Sequence, residues 1–127
     1  MSTIRALVAG NWKMNGLSAN LAEAKLLATE LGQGAFKCDV MLCPPSTLLA
    51  QANYALKGTK VALGGQDCHA AVSGAHTGDI AADMLKDAGA TAVIVGHSER
   101  RTNHKETDAQ VSAKAQAAHK SGLVAII

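Results

Sequence analysis

Two polar clusters each follow an apolar run: Gly10-Asn11-Trp12-Lys13 after residues 4–9 (IRALVA), and Gly96-His97-Ser98-Glu99-Arg100-Arg101 after residues 91–95 (TAVIV). If the runs are strands of a parallel α/β sheet, both clusters lie at strand carboxyl ends, where such sheets place their ligands. The Lys13 ammonium and the His97 imidazole then converge over one pocket, although they are far apart in sequence. An amine cation beside an imidazole is equipment for stabilising an oxyanion, and at a strand mouth Lys13 can hold a phosphate or a developing enolate by charge. Alone, Lys13 would read as a solvated surface lysine and His97 as a hydrogen-bonded structural residue; the shared setting makes them a candidate pair. The polar residues after His97 can open a short helix, whose N-terminus beside the ring favours neutral imidazole over imidazolium. Glu99 has two readings, a general base or, more modestly, the ion-pair partner that orients Lys13. Arg100 and Arg101 are most simply salt-bridge partners.

The elements that must position these groups follow from the apolar pattern. Strands are expected at 4–9, 38–43, 60–64, 91–95 and 123–127, all continuous apolar runs of the kind found where helices cover a parallel sheet. Helices are expected near 18–31, 46–56, 79–88 and 105–120. The first has Ser18 as its N-cap, an apolar face at Leu21, Ala24, Ala28 and Leu31, and Gly32 as a stop. Asp79 is placed to cap the third, which ends at Gly89, and the fourth carries Val111, Ala115 and Ala118 ahead of Gly122. The resulting β-α-β-α-β-α-β-α-β order fits either an open doubly wound sheet or part of a closed eight-stranded βα barrel. The first βα turn, GNWKMNG, is not a G-x-G-x-x-G phosphate loop, which disfavours dinucleotide binding.

Composition narrows the classes. At 127 residues, with no Pro-rich or Gly/Ser linker, the chain is expected to be one domain, 1–127. Hydrophobic residues make up 48% but aromatics only 2%, so the core must be aliphatic, which suits Ala-faced helices lying close on a sheet. The net charge of +2 is scattered, with no polybasic run or aromatic platform, which argues against a nucleic-acid partner. No apolar run reaches the roughly 18 residues of a membrane span, and the N-terminus leads directly into a strand pattern, so a soluble cytoplasmic protein is expected. Cys38, Cys43 and Cys68 are an odd number without C-x-x-C spacing and read as reduced, buried thiols. His69, His76, His104 and His119 share no ligand spacing, so no metal site is expected. The long loop at 70–79 reads either as a surface loop or, given its length and small residues, as a protrusion that inserts into a partner subunit.

Taken together, Asn11-Trp12-Lys13, the GAHTGD loop at 74–79, the GHSERR run at 96–101 and the Glu106-Thr107-Asp108 helix opening resemble the triosephosphate isomerase family. The four motifs occur in order with that family's spacing and cover essentially the whole chain. The match corresponds to the amino-terminal half of that family's (βα)8 TIM barrel, about 250 residues when whole, here the first four and a half βα units.

The resemblance implies interconversion of dihydroxyacetone phosphate and D-glyceraldehyde 3-phosphate in glycolysis and gluconeogenesis, with no cofactor and no metal. It makes Lys13 the cation near the substrate phosphate and carbonyl, and His97 the neutral group that shuttles a proton between the two enediolate oxygens. This family is itself the standard example of a histidine kept neutral beside a helix N-terminus. Asn11 would contact substrate, Ser98 and Glu99 would support the pair from behind, and Thr77 would reach the neighbouring subunit's site in a homodimer. Met14, Asp67, His76 and Asp79 depart from residues frequent in the family, all in or near its dimer contact. The family's glutamate base, flexible lid and phosphate-binding loops correspond to sequence beyond Ile127, so these 127 residues alone are expected to be inactive and marginally stable. Two other readings are a non-catalytic half-barrel assembly module, pairing with itself or with a complementary fragment, and another barrel isomerase acting on a sugar phosphate.

Overall fold

The computed structural model describes residues 3–127. Five parallel strands, β1 (Ala6–Asn11), β2 (Cys38–Cys43), β3 (Val61–Gly65), β4 (Ala92–Ile94) and β5 (Val124–Ile126), form one sheet in the order β1-β2-β3-β4-β5. That order decides between the two architectures left open above. A doubly wound sheet reverses direction at a switch point and carries helices on both faces. Here every strand lies next to its predecessor, which is the curl of a βα barrel, and the sheet is a half-barrel.

The helices are α1 (Leu21–Gly32), α2 (Ser46–Ala55), α3 (Ala82–Ala88), α4 (Ser98–His104) and α5 (Asp108–Lys120). Strand residues divide by parity, as the two-residue period of a strand requires. Leu42, Val61, Leu63, Val93 and Val95 face the helices and join Leu21, Ala24, Ala28 and Leu31 of α1, Leu49 and Ala52 of α2, Leu85 of α3 and Val111, Ala115 and Ala118 of α5 in the main core. Met41, Cys43, Ala92 and Ile94 form a second, smaller cluster, with Ala62 and Ile126 against it. The close fit of helix to sheet requires Gly65, where a Cβ would lie 2.6 Å from Cδ1 of the buried Leu85.

Several boundaries differ from the sequence expectation for identifiable reasons. β1 starts at Ala6, where its pairing with Cys38 begins; Arg5 instead clasps the head of β2, its Nε 2.9 Å from Asp39 Oδ1 and its Nη2 donating to the Cys38 carbonyl. Ser18 does not cap α1. A 3₁₀ turn over Ser18–Asn20 comes first, and the Asn20 side chain accepts the Leu17 N–H at 2.8 Å while the Ser18 hydroxyl donates to Gln51. Asp79 does not cap α3, because residues 80 and 81 are held extended beside His69 by the His69 N–H to Ile80 carbonyl bond and the His69–Ala81 bridge. Gly89, at φ 113°, ends α3 as expected. The region 98–120 is two helices, divided at Lys105 (φ 54°) and restarted by Thr107, whose hydroxyl accepts the Gln110 N–H while Gln110 Oε1 accepts the Thr107 N–H.

The cysteines are all free; Cys43 and Cys68 are buried, whereas Cys38, expected to be buried as well, is partly exposed at the first position of β2. Burial pushes the Cys43 thiol up to about 11, and burial followed by the Asp67 charge does the same for Cys68. Both thiols are therefore protonated and shielded at neutral pH. A thiol reagent added to native protein at pH 8 should modify Cys38 first and leave Cys43 and Cys68 until denaturant is added, as peptide mapping by mass spectrometry can read.

Candidate active site

β1 and β4 carry the two polar clusters to the same rim. At the end of β1, the Trp12 N–H still donates to the Cys43 carbonyl at 3.1 Å, and the chain then turns sharply. Lys13 takes φ 54°, the left-handed region that a side chain occupies at a cost of about 1 kcal/mol. Asn11 supports the turn by accepting the Lys13 N–H on Oδ1 at 2.9 Å, as asparagine does at such corners. At the end of β4, Gly96 takes φ 69° and lies so close to Val111 that a Cβ would be 2.8 Å from Cγ1. His97 then caps α4, with its Nδ1 accepting the Glu99 backbone N–H at 3.1 Å.

Glu99 joins the two clusters. Its Oε1 lies 2.8 Å from Lys13 Nζ, and its Oε2 lies 3.6 Å from His97 Nδ1. The second distance is too long for a hydrogen bond, whereas the backbone donation to Nδ1 is within range. A ring nitrogen that accepts an N–H carries no proton of its own, so the neutral ring holds its proton on Nε2. The carboxyl of Glu99 is held below the ordinary carboxylate range, first by its hydrogen bond from Lys13 and then by the Lys13 charge. It is thus ionised and paired with Lys13 at neutral pH.

Asn11, Lys13, His97 and Glu99 all line one cavity of about 740 Å³, together with Gln66, Asp67 and Arg100. An ammonium and a neutral imidazole N–H on one wall can stabilise negative charge on a small anionic ligand. Ser98 opens α4 with its residue exposed, and among the described residues its side chain makes no hydrogen bond to Lys13, His97 or Glu99. Thr77 is exposed on the 70–79 loop and does not line this cavity.

Sequence reasoning missed what lies beneath the rim. Arg100 Nε is 3.0 Å from Asp67 Oδ2 and 3.3 Å from Glu106 Oε2, and Lys114 Nζ is 2.9 Å from Asp67 Oδ1 and 2.7 Å from Glu106 Oε2. Two cations and two carboxylates, from the β3 loop, α4, the α4–α5 turn and α5, make one closed ring. Arg101 extends the same theme, donating to the Gly96 carbonyl and pairing with Asp108. No fixed spacing in the sequence announces such a ring, since its members sit on four separate segments. Gln66 was missed for the same reason: its Nε2 donates to both the Lys13 and the Cys43 carbonyls, each at 2.8 Å, across sequence gaps that no local pattern spans.

The 70–79 loop also holds a contact its spacing did not suggest. The rings of His69 and His76 stack with centroids 3.9 Å apart, and one nitrogen from each ring and an Asp79 oxygen lie within 4.8 Å of one another. His69 Nδ1 is occupied there by the Ala71 N–H at 2.9 Å, so the stack braces the loop's backbone.

With this geometry in place, comparison with known proteins gives one answer. The family model described as triosephosphate isomerase matches residues 6–127. This chain belongs to the triosephosphate isomerase family. It is 61% identical over 124 residues to the triosephosphate isomerase of Afipia carboxidovorans and 56% identical over 124 residues to that of Bradyrhizobium diazoefficiens, in each case across 98% of this chain and 49% of the relative. The crystal structure of triosephosphate isomerase from Bartonella henselae superposes with a TM-score of 0.92 at 50% identity, covering 96% of this chain and 50% of that one. The chain thus spans about half the length of the family members it matches, and the half-barrel seen here is the amino-terminal half of their fold.

The partly buried ring gives this scaffold a pH signature. Burial alone would raise the Glu106 carboxyl, but the hydrogen bonds and charges of Lys114 and Arg100 outweigh it and hold it below its ordinary value. Burial would likewise lower Lys114, yet Glu106 and Asp67 carry it above the ordinary lysine range. A depressed carboxylate contributes stability above its unfolded pKa and loses it as pH falls through the folded one. A raised lysine contributes below its unfolded pKa and loses it as pH rises through its folded one. Stability should therefore plateau from about pH 5 to pH 10 and fall off on both sides. Glu106→Gln, which leaves two cations facing Asp67 alone, should cost about 3 kcal/mol at pH 7 and flatten the acid limb, as denaturant titrations across pH can measure.

Proposed function

We propose that the protein carrying these residues is a triosephosphate isomerase, interconverting dihydroxyacetone phosphate and D-glyceraldehyde 3-phosphate by proton transfer through an enediolate. The observation that carries this reading is the placement of Lys13 and His97 about a single carboxylate, Glu99, on the wall of one cavity. The relatives named triosephosphate isomerase, at 54–61% identity, support it.

In this mechanism Lys13 holds the substrate phosphate and neutralises charge as it develops on the carbonyl oxygen. His97, with its proton on Nε2, donates to one enediolate oxygen and recovers a proton from the other, so the ring ends each cycle in its starting state. Asn11 contacts substrate while holding the Lys13 turn, and Glu99, with Ser98 beside it, keeps the ammonium aimed. The proton that moves between the two carbons is taken up and returned by a general base other than Glu99, the family's glutamate, which corresponds to sequence beyond Ile127, so the isomerisation balances without a cofactor or metal.

The proposal places the enzyme in the cytoplasm as a homodimer built through the 70–79 loop. Support for the loop's role is its exposure, with Val72 71% accessible and Thr77 standing clear of its own chain's cavity. Among the described residues no helix is long and apolar enough to cross a membrane.

The direct test is steady-state turnover of the full-length protein. Lys13→Ala should lower kcat/KM by about 10²–10³-fold or more, the scale of removing one preorganised group facing an oxyanion, whereas Lys57→Ala, on an exposed residue away from the cavity, should leave it unchanged. Equal effects from the two would remove the case for Lys13. The 127-residue polypeptide by itself should show negligible turnover, because the family's glutamate base and phosphate-binding loops correspond to sequence beyond Ile127, and the general-base step is worth about 10²–10⁴-fold. A purified sample of it turning over at the full enzyme's rate would contradict the assignment of Glu99 as an orienting group.

A further inference from the structure

Lys13 combines two features that pull against each other. Its ammonium must be placed accurately, yet its backbone sits in the left-handed region, which a residue with a Cβ leaves readily when nothing holds it. The Asn11 side chain secures only the N–H side of that residue. The carbonyl side is secured from another strand. Gln66, immediately after β3, reaches across the rim and donates from Nε2 to the Lys13 carbonyl at 2.8 Å and to the Cys43 carbonyl at 2.8 Å.

The Cys43 carbonyl also accepts the Trp12 N–H, so it is the last point at which β1 and β2 are stitched together. One amide thus ties the strained turn to a fixed point at the end of β2. Gln66 is itself anchored, following Gly64 and Gly65, both buried in the sheet, and standing beside Asp67 of the ionic ring.

We infer that Gln66 is a positioning residue for the reaction: through its paired hydrogen bonds to the Lys13 and Cys43 carbonyls it holds Lys13 in its left-handed turn and so sets where the ammonium meets an anionic ligand. Gln66 acts through Lys13 and donates neither proton nor charge to the chemistry. The inference rests on the isomerase reading for its consequences in turnover, and on geometry alone for its consequences in anion binding.

The experiment uses the full-length protein and two readouts: KM and kcat for triose phosphate, and the dissociation constant of glycerol 3-phosphate, which has the phosphate but no carbonyl to react. Gln66→Met keeps the side chain's length and removes both donors. It should raise KM and weaken glycerol 3-phosphate by about tenfold or more, the scale on which small misplacements of a binding group act. A loss of folded protein alone would lower kcat and leave both of those constants unmoved. In a Lys13→Ala background, where there is no ammonium left to place, the same substitution should change glycerol 3-phosphate binding by less than about twofold.

Unchanged KM and unchanged binding in Gln66→Met overturn the inference, and so does an equal loss of binding with and without Lys13. If the unsubstituted protein shows no isomerase activity, the functional reading fails, and the glycerol 3-phosphate cycle still decides the role of Gln66. Should Gln66→Met not fold, Gln66→Asn, too short to reach both carbonyls, is read through the same cycle.

Discussion

The carboxylate of Glu99 stands between an ammonium from the end of β1 and an imidazole from the end of β4, and the geometry of the rim depends on that placement. Glu99 serves His97 with its backbone and Lys13 with its side chain. Its N–H, pointing from the first turn of α4, fixes which ring nitrogen carries the proton; its Oε1 fixes where the ammonium rests. The ion pair is about half exposed, so its value to folding is small. Its value lies in geometry, because it joins two strands that are not neighbours in the sheet at the one place where their loops must agree.

That arrangement needs α4 to keep its position, and α4 has only seven residues. A helix so short has little stability of its own and takes its orientation from what it is fastened to. Arg100 fastens it underneath, to Asp67 after β3 and to Glu106 in the turn before α5, while Lys114 closes the ring from α5. Glu106 is the most constrained member: its side chain is 4% exposed, Oε2 accepts from both cations, and Oε1 has no hydrogen-bond partner among the described residues. A buried ion pair is a poor source of net stability, since desolvation offsets most of its attraction. Here it orients a short helix that hydrophobic contact cannot, as α4 has no buried residue to pack.

The sequence disclosed the parts of the molecule that repeat along the chain and concealed those that do not. All five strands and the faces of α1 and α5 were legible because aliphatic runs and helical periods are local signals. The placement of Asn11, Lys13, His97 and Glu99 was legible because each lies at or soon after a strand's carboxyl end and the parallel sheet brings strand ends together. The starts of α1 and α3 were misread: Ser18 and Asp79 have cap chemistry, but bonds to Asn20 and His69 decide those backbones instead. The Thr107–Gln110 capping box, by contrast, was there to be read and gives the start of α5 closely. Gln66, the ionic ring and the His69–His76 stack could not be read, because each joins residues whose proximity is created by the fold.

The sheet's two faces explain why a strained, highly charged rim can be tolerated at all. The helix side carries nearly all of the hydrophobic burial, in one cluster running from Leu21 to Leu123. The inner side holds a smaller cluster of Met41, Cys43, Ala92 and Ile94. Stability therefore resides mainly on one face, and the chemistry sits at the ends of the strands, where loops can change without disturbing it. The cost of the Lys13 backbone, about 1 kcal/mol, is small against burial of that extent, and it falls on a turn tied at both its N–H and its carbonyl. Relaxing that turn would break both the bond to Asn11 at the end of β1 and the bond from Gln66 after β3, which biases the cation toward its observed placement.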